Sequence, residues 1–176
     1  MASSAIEHSK EFLTVFIVAY TMKGEMGKHT MTNVPGCERI SRDCIAMRVR
    51  LLNRVVTKIY DDCLRRHGLR ATQMNILVAV SLMKTASPSE LERRLCLDKS
   101  TVSRNVDRIQ RRGWVEFVPG KDGRSHHLQL TALGAKLLTK AGPTWQEAQE
   151  KAVSLLGTDG VAALARIDAA LGARKV

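Results

Sequence analysis

The stretch from Asp98 to Thr131 constrains this chain more than any other. It opens with Asp98, a residue able to accept hydrogen bonds from the free amides of a helix's first turn. Val102, Val106 and Ile109 then recur at helical spacing, so one stripe is apolar. The opposite face collects Ser100, Thr101, Ser103, Arg104, Asn105 and Arg108, side chains of the kind that touch phosphates and base edges. Arg111, Arg112 and Gly113 supply a basic last turn and a C-terminal glycine. Two β-prone runs follow, 114–118 and 127–130, joined by Pro119-Gly120-Lys121-Asp122-Gly123-Arg124. A polar helix running straight into a basic-tipped hairpin has the outline of a recognition helix and a wing.

Charge supports that outline. Lys and Arg number 28 against 17 acids, a formal net charge of +11, which predicts an acidic partner such as nucleic acid or an anionic membrane surface. Between Lys99 and Arg124 seven basic residues face three acids, Asp107, Glu116 and Asp122, so the excess is densest where a groove would be met. Aromatic residues make up only 4%, which argues against a single-strand binder that stacks bases on rings. No apolar run approaches the ~20 residues needed to cross a bilayer, and the expected location is the cytoplasm. Cys37, Cys44, Cys63 and Cys96 form no CxxC pair and read as reduced thiols.

The rest of the chain reads as helices around this unit. Residues 1–40 form an N-terminal extension of little periodicity, containing the apolar run Phe12 to Tyr20. It fits a packed extra element, a loosely held tail, or upstream sequence ahead of a functional start at Met31. From 41 to 66, Ile45, Val49, Leu52, Val56, Ile59 and Cys63 make one stripe, and Cys44, Met47, Leu51 and Val55 widen it. A helix apolar on two sides packs between two neighbours, either within its own core or against a second subunit. A helix over 71–83 is expected to turn Met74, Leu77, Val78 and Leu82 inward. Ser87-Pro88-Ser89-Glu90 predicts an N-cap, a proline at the first helical position and a capping box. Thr131 should cap a long helix, kinked or divided at Gly142-Pro143. Past Gly157-Thr158 a last helix would carry Val161, Leu164, Ile167 and Leu171 inward.

Five motifs in order carry a resemblance. They are His67-Gly68-Leu69 followed by Gln73, the pair Ser87-Pro88-Ser89-Glu90-Leu91 and Asp98-Lys99-Ser100-Thr101-Val102-Ser103-Arg104, Arg112-Gly113-Trp114-Val115, Asp122-Gly123-Arg124-Ser125, and Leu130-Thr131-Ala132-Leu133-Gly134. From about Cys44 onward the chain resembles the MarR family of winged helix-turn-helix transcriptional regulators. One departure is Arg70, where that family usually places a Thr or Ser cap. The resemblance implies a mainly α fold with a small β-hairpin wing, organised as a MarR-type domain over 41–176. Within it, 41–66 and 131–176 would be dimerisation helices and 71–130 the DNA-binding region.

It further implies a homodimer on a pseudopalindromic double-stranded DNA operator, a repressor relieved by a small anionic or aromatic effector, with no cofactor and no catalysis. Ser100, Thr101, Ser103, Arg104, Asn105 and Arg108 would meet DNA, Arg104 as a guanine reader or a phosphate clamp. Arg124 would enter the minor groove, oriented by Asp122. The organic-hydroperoxide-sensing branch has a reactive cysteine early in its first helix, and Cys44 takes a comparable place. The tyrosines of that branch are missing around it, so a structural thiol and a redox sensor both stand. His126 and His127 fall on opposite faces of one strand and His67 ends a helix, a poor set for a metal. A winged helix used only to bind protein is the remaining alternative.

Arg124→Ala is expected to weaken binding to duplex DNA and reduce the salt slope by about one. Titrations at several salt concentrations measure both, and unchanged values would remove the arginine from the interface.

Overall fold

The computed structural model describes residues 35–120 and 126–173. Asp122, Arg124 and nearly all of the 1–40 extension lie outside them. The elements in order are α1 (Cys37–Asp43), α2 (Ile45–Leu64), a 3-10 turn (Arg65–His67), α3 (Ala71–Met83), β1 (Thr85–Ala86), α4 (Pro88–Leu95), α5 (Lys99–Arg111), β2 (Val115–Pro119), β3 (His126–Leu130) and α6 (Ala132–Ala173). The fold is mainly α with a small antiparallel sheet, as the sequence indicates. The chain divides into two units after Arg50.

In the first unit the expected helix start is corrected. Helix α1 already begins at Cys37, and Cys44 adopts an extended conformation that separates it from α2. The Cys44 amide donates to the Ile40 carbonyl at 3.0 Å, and Arg48 Nη2 donates to the Arg42 carbonyl at 2.6 Å. Ile45, Met47 and Val49 of the two apolar rows are exposed, Ile45 to 75%.

In the second unit α3 is the central element. Gln73, Met74, Ile76, Leu77, Ala79 and Val80 are all buried, because α3 packs against α4, α5, β1, β3 and α6. The expected inward set was partly wrong. Met74 and Leu77 are buried, but Val78 is 38% exposed and Leu82 71%. Ile76 and Val80 take their places, since a helix enclosed on most sides has no single stripe to read. Around it gather Leu64, Leu69, Leu91, Val102, Val106, Ile109, Val115 and Leu128. Each such side chain stabilises the fold by about 1.5–3 kcal/mol relative to exposure.

The absent Thr or Ser cap at position 70 is replaced from a distance. Asp61 Oδ1 on α2 accepts from the Ala71 amide at 2.7 Å, and Gln73 Oε1 accepts from the Arg70 amide at 3.1 Å. Arg70 in turn pairs with Asp61 Oδ2 at 3.3 Å. The end of α2 is clasped to α6 by Thr144, whose buried hydroxyl accepts from Arg66 Nε at 3.0 Å and Nη2 at 2.6 Å. His67 Nε2 lies 2.7 Å from the same oxygen, and burial lowers the His67 pKa. The Tyr60 hydroxyl donates to Gln149 Oε1, and burial raises the pKa of that phenol.

The sheet runs β1-β3-β2, all antiparallel. Val115 pairs with Leu130 and Pro119 with His126, while Thr85 and Ala86 pair with Gln129 and Leu128. The first strand is thus shifted by one residue at both ends, the second starts one residue earlier than expected, and β1 is additional. Helix α6 keeps helical dihedrals through Gly142-Pro143 and breaks only at Gly157 (φ 68, ψ 170). Beyond the break Leu164, Ile167 and Leu171 are exposed rather than inward.

Helix α6 starts against the wing. Thr131 Oγ1 accepts from the Gly134 amide at 3.0 Å and donates to the Gly113 carbonyl at 2.6 Å, while the Thr131 amide donates to the Trp114 carbonyl at 3.1 Å. A Cβ on Gly134 would overlap the Trp114 carbonyl and come within 2.8 Å of Leu130 Cδ1. At Gly142 it would meet nothing within 4 Å apart from its chain neighbours. Gly134→Ala is expected to cost about 3 kcal/mol through overpacking, whereas Gly142→Ala should change stability by less than about 1 kcal/mol, the gain in helix propensity being offset by crowding against the ring of the following Pro143. Thermal melts of the two variants check this contrast; equal midpoints would refute the close crossing.

Candidate nucleic-acid interface

The recognition element is built from its two ends inward. Helix α4 begins with the expected capping box: Ser87 Oγ accepts from the Glu90 amide at 3.3 Å, and the Ser87 amide donates to Glu90 Oε2 at 2.7 Å. Those bonds hold the Glu90 carboxyl below the ordinary range. Cys96 closes the helix in the left-handed region (φ 49), and Leu97 leads directly to Asp98. Three residues, Cys96, Leu97 and Asp98, thus separate α4 from α5, the tight reversal of a helix-turn-helix.

Asp98 caps α5. Its Oδ1 accepts from the Thr101 amide at 2.7 Å and from Ser100 Oγ at 2.6 Å, and its Oδ2 accepts from Thr101 Oγ1 at 2.7 Å. These donors, the Ser100 hydroxyl first, hold the Asp98 carboxyl far below the usual carboxylate range. Val102, Val106 and Ile109 are buried beneath the helix. Because all three anchors lie on one side, the opposite side is forced into solvent with its polar residues.

That side carries the residues expected from the sequence. Ser100, Ser103, Arg104 and Arg108 are exposed, and Thr101 and Asn105 are half-buried at the margins. Arg104 Nη2 lies 3.1 Å from Ser100 Oγ and 3.4 Å from Thr101 Oγ1, so its guanidinium is folded back over the first turn. Asn105 differs from its neighbours: its Nδ2 donates to the Thr101 carbonyl at 2.8 Å, which commits that amide donor to the helix itself.

The far end of α5 has an anchor that sequence reading missed. Arg112 Nη1 donates to the Gly68 carbonyl at 3.0 Å, and its guanidinium lies 5.0 Å from the centre of the Trp114 ring. A Cβ on Gly68 would collide with this guanidinium, and Gly68 has a φ of +67. Residues 44 positions apart in sequence carry no local signal of that contact. The wing's stem follows, with Phe117 edge-on to His126 at 6.4 Å between ring centres.

Cys44 is remote from α5 in sequence and sits half-exposed at the break before α2. Among the described residues no His, Cys, Asp and Glu cluster is suited to hold a metal ion, and no helix is long and apolar enough to cross a membrane.

A tight helix-turn-helix whose second helix offers a hydroxyl and arginine face, followed by a hairpin stem, defines a winged helix-turn-helix protein. Residues 67–125 match the family model described as MarR family. Over 118 residues the chain is 25% identical to the multiple antibiotic resistance protein MarR of Escherichia coli, covering 66% of this chain and 82% of that protein. It is 29% identical over 123 residues to the transcriptional repressor MprA of Escherichia coli, covering 68% of this chain and 66% of MprA. Its fold is that of a mutant E. coli MarR solved in complex with operator DNA, with a TM-score of 0.66, 22% identity and coverage of 75% of this chain and 96% of that one. Bordetella bronchiseptica BpsR, whose DNA binding is regulated by 6-hydroxynicotinic acid, shares the fold at a TM-score of 0.66 and 16% identity, with coverage of 74% and 94%. The chain is thus similar to the MarR family of transcriptional regulators, through the family-model match over residues 67–125 and the likeness to these relatives.

The direction of the Asp98 shift fixes a pH dependence. A carboxyl with a depressed folded-state pKa contributes stability above its unfolded value, and that contribution is lost as pH falls through the folded value. Asp98→Asn should therefore flatten the fall of the melting temperature between about pH 5 and 2.5. Melts across that range provide the check, and parallel curves for the two proteins would mean that Asp98 is not an ionised cap.

Proposed function

We propose that this chain is a homodimeric, sequence-specific double-stranded DNA-binding repressor of transcription, acting in the cytoplasm. One observation carries the reading: Ser100, Ser103, Arg104 and Arg108 project together from α5, while Val102, Val106 and Ile109 hold that helix against the core. A rigidly seated helix with donors and guanidinium groups outward suits the major groove. The E. coli MarR complex with operator DNA supports the same use of this fold. Arg124, positioned by Asp122, would add a minor-groove contact from the wing.

In this reading 71–130 binds DNA, and 41–66 and 131–176 pair two copies. Support comes from large apolar side chains left in solvent in both segments, Met47 and Val49 in one and Val153, Leu164 and Ile167 in the other. Exposed residues of this size in such numbers mark an association surface. A small anionic or aromatic effector is the expected releasing ligand, by analogy with the acid that regulates BpsR. It would act through different affinities for two conformations of the dimer.

Sedimentation should give a mass near twice the 19.5 kDa of one chain. Titration against duplex DNA from its own upstream region should show affinity falling about a thousandfold or more between ~50 and ~200 mM salt. Weak binding that ignores salt would instead favour a protein-interaction module.

A further inference from the structure

The first turn of α5 holds a chain of hydrogen bonds whose direction is fixed by chemistry. An ionised carboxylate only accepts, so Ser100 Oγ at 2.6 Å and Thr101 Oγ1 at 2.7 Å must both donate their protons to Asp98. A guanidinium only donates, so the same two oxygens must accept from Arg104 Nη2, at 3.1 and 3.4 Å. The order is therefore Arg104 to the two hydroxyls to Asp98, with no freedom to reverse. The Thr101 amide is also committed to Asp98 at 2.7 Å.

This has a consequence for what the turn can recognise. A DNA phosphate is an acceptor and wants protons. The two hydroxyl protons already lie in charge-assisted bonds, which are about twice as strong as neutral ones. A phosphate would have to displace a carboxylate of its own sign to take them. What Ser100 and Thr101 present outward is lone pairs. In the major groove the matching groups are the exocyclic amines, N6 of adenine and N4 of cytosine. Arg104, steadied on the same oxygens, presents donors that match O6 and N7 of guanine.

We propose that Asp98 is a positioning residue that sets the hydrogen-bonding polarity of the recognition face, making Ser100 and Thr101 readers of adenine or cytosine amino groups and placing Arg104 beside them to meet guanine. The proposal rests on the DNA-reading function above and deepens it. Ser103 is the internal contrast: it is exposed on the same helix and makes no bond to Asp98, so its proton remains available to a phosphate.

The test is a selection from duplexes with a randomised core, using the full chain and the variants Ser100→Ala, Thr101→Val, Ser103→Ala and Asp98→Asn. The wild-type chain should select an adenine or cytosine at a defined position near a guanine. Ser100→Ala or Thr101→Val should lower discrimination there by about tenfold, whereas Ser103→Ala should weaken all duplexes alike. Asparagine retains the capping oxygen, so Asp98→Asn should fold. Its single amide oxygen, already accepting from the Thr101 amide, cannot also hold both hydroxyl protons, and its selected pool should lose or change the preference at that same position. A second measurement does not depend on that variant. Replacing the selected adenine by purine, or the selected cytosine by 2-pyrimidinone, removes only the amine; binding should fall for the wild-type chain and stay level for the double variant Ser100→Ala/Thr101→Val.

The proposal is overturned if Asp98→Asn selects the wild-type pool, if Ser100→Ala and Thr101→Val weaken every duplex equally, or if deleting the amine leaves wild-type binding unchanged. A wild-type chain that binds DNA but selects no sequence would overturn the DNA-reading function itself, a pattern distinct from all three.

Discussion

The carbonyl of Trp114 is the point on which the DNA-binding half depends. It leaves the recognition helix just after Gly113, accepts from the Thr131 amide, and lies so close to Gly134 that no side chain fits between. Three elements meet there: the end of α5, the start of β2 and the first turn of α6. Thr131 completes the joint by bonding both the Gly113 carbonyl and the Gly134 amide. Fixing that one crossing sets the angle at which the wing leaves the helix and the direction in which α6 departs.

Apolar and polar interactions divide the remaining work by scale. The buried anchors of α5 supply the larger energies and decide which side of the helix faces the core. The hydrogen bonds at its ends decide what the exposed side offers. Asp98 orders the first turn, Arg112 ties the last turn to Gly68, and Asp61 caps the neighbouring α3. Exposed polar contacts of this kind add little net stability, but they give direction to side chains that would otherwise sample many rotamers.

Most of this half was legible in the sequence because its determinants are local. Caps at Asp98, Ser87 and Thr131 and the spacing of Val102, Val106 and Ile109 act within a few residues of themselves. What stayed hidden was long-range or too short to have a period. The contact of Arg112 with Gly68 and the capping of Ala71 by Asp61 join distant positions, and β1 has only two residues. Helix α3 misleads because burial on several sides erases amphipathic contrast, so its spacing points to Val78 and Leu82 where Ile76 and Val80 are the buried residues. The proline at 143 misled in the opposite way, since α6 absorbs it with helical dihedrals and breaks at Gly157.

Strand β1 also limits how this protein can vary in length. Ala86 pairs with Leu128 of the wing, and Ser87, the very next residue, caps α4. No spacer lies between the end of a sheet and the beginning of a helix. An inserted residue would have to break the pairing or the cap, and a deleted one would have to remove one of them. Insertions and deletions tolerated in related chains should therefore spare this junction.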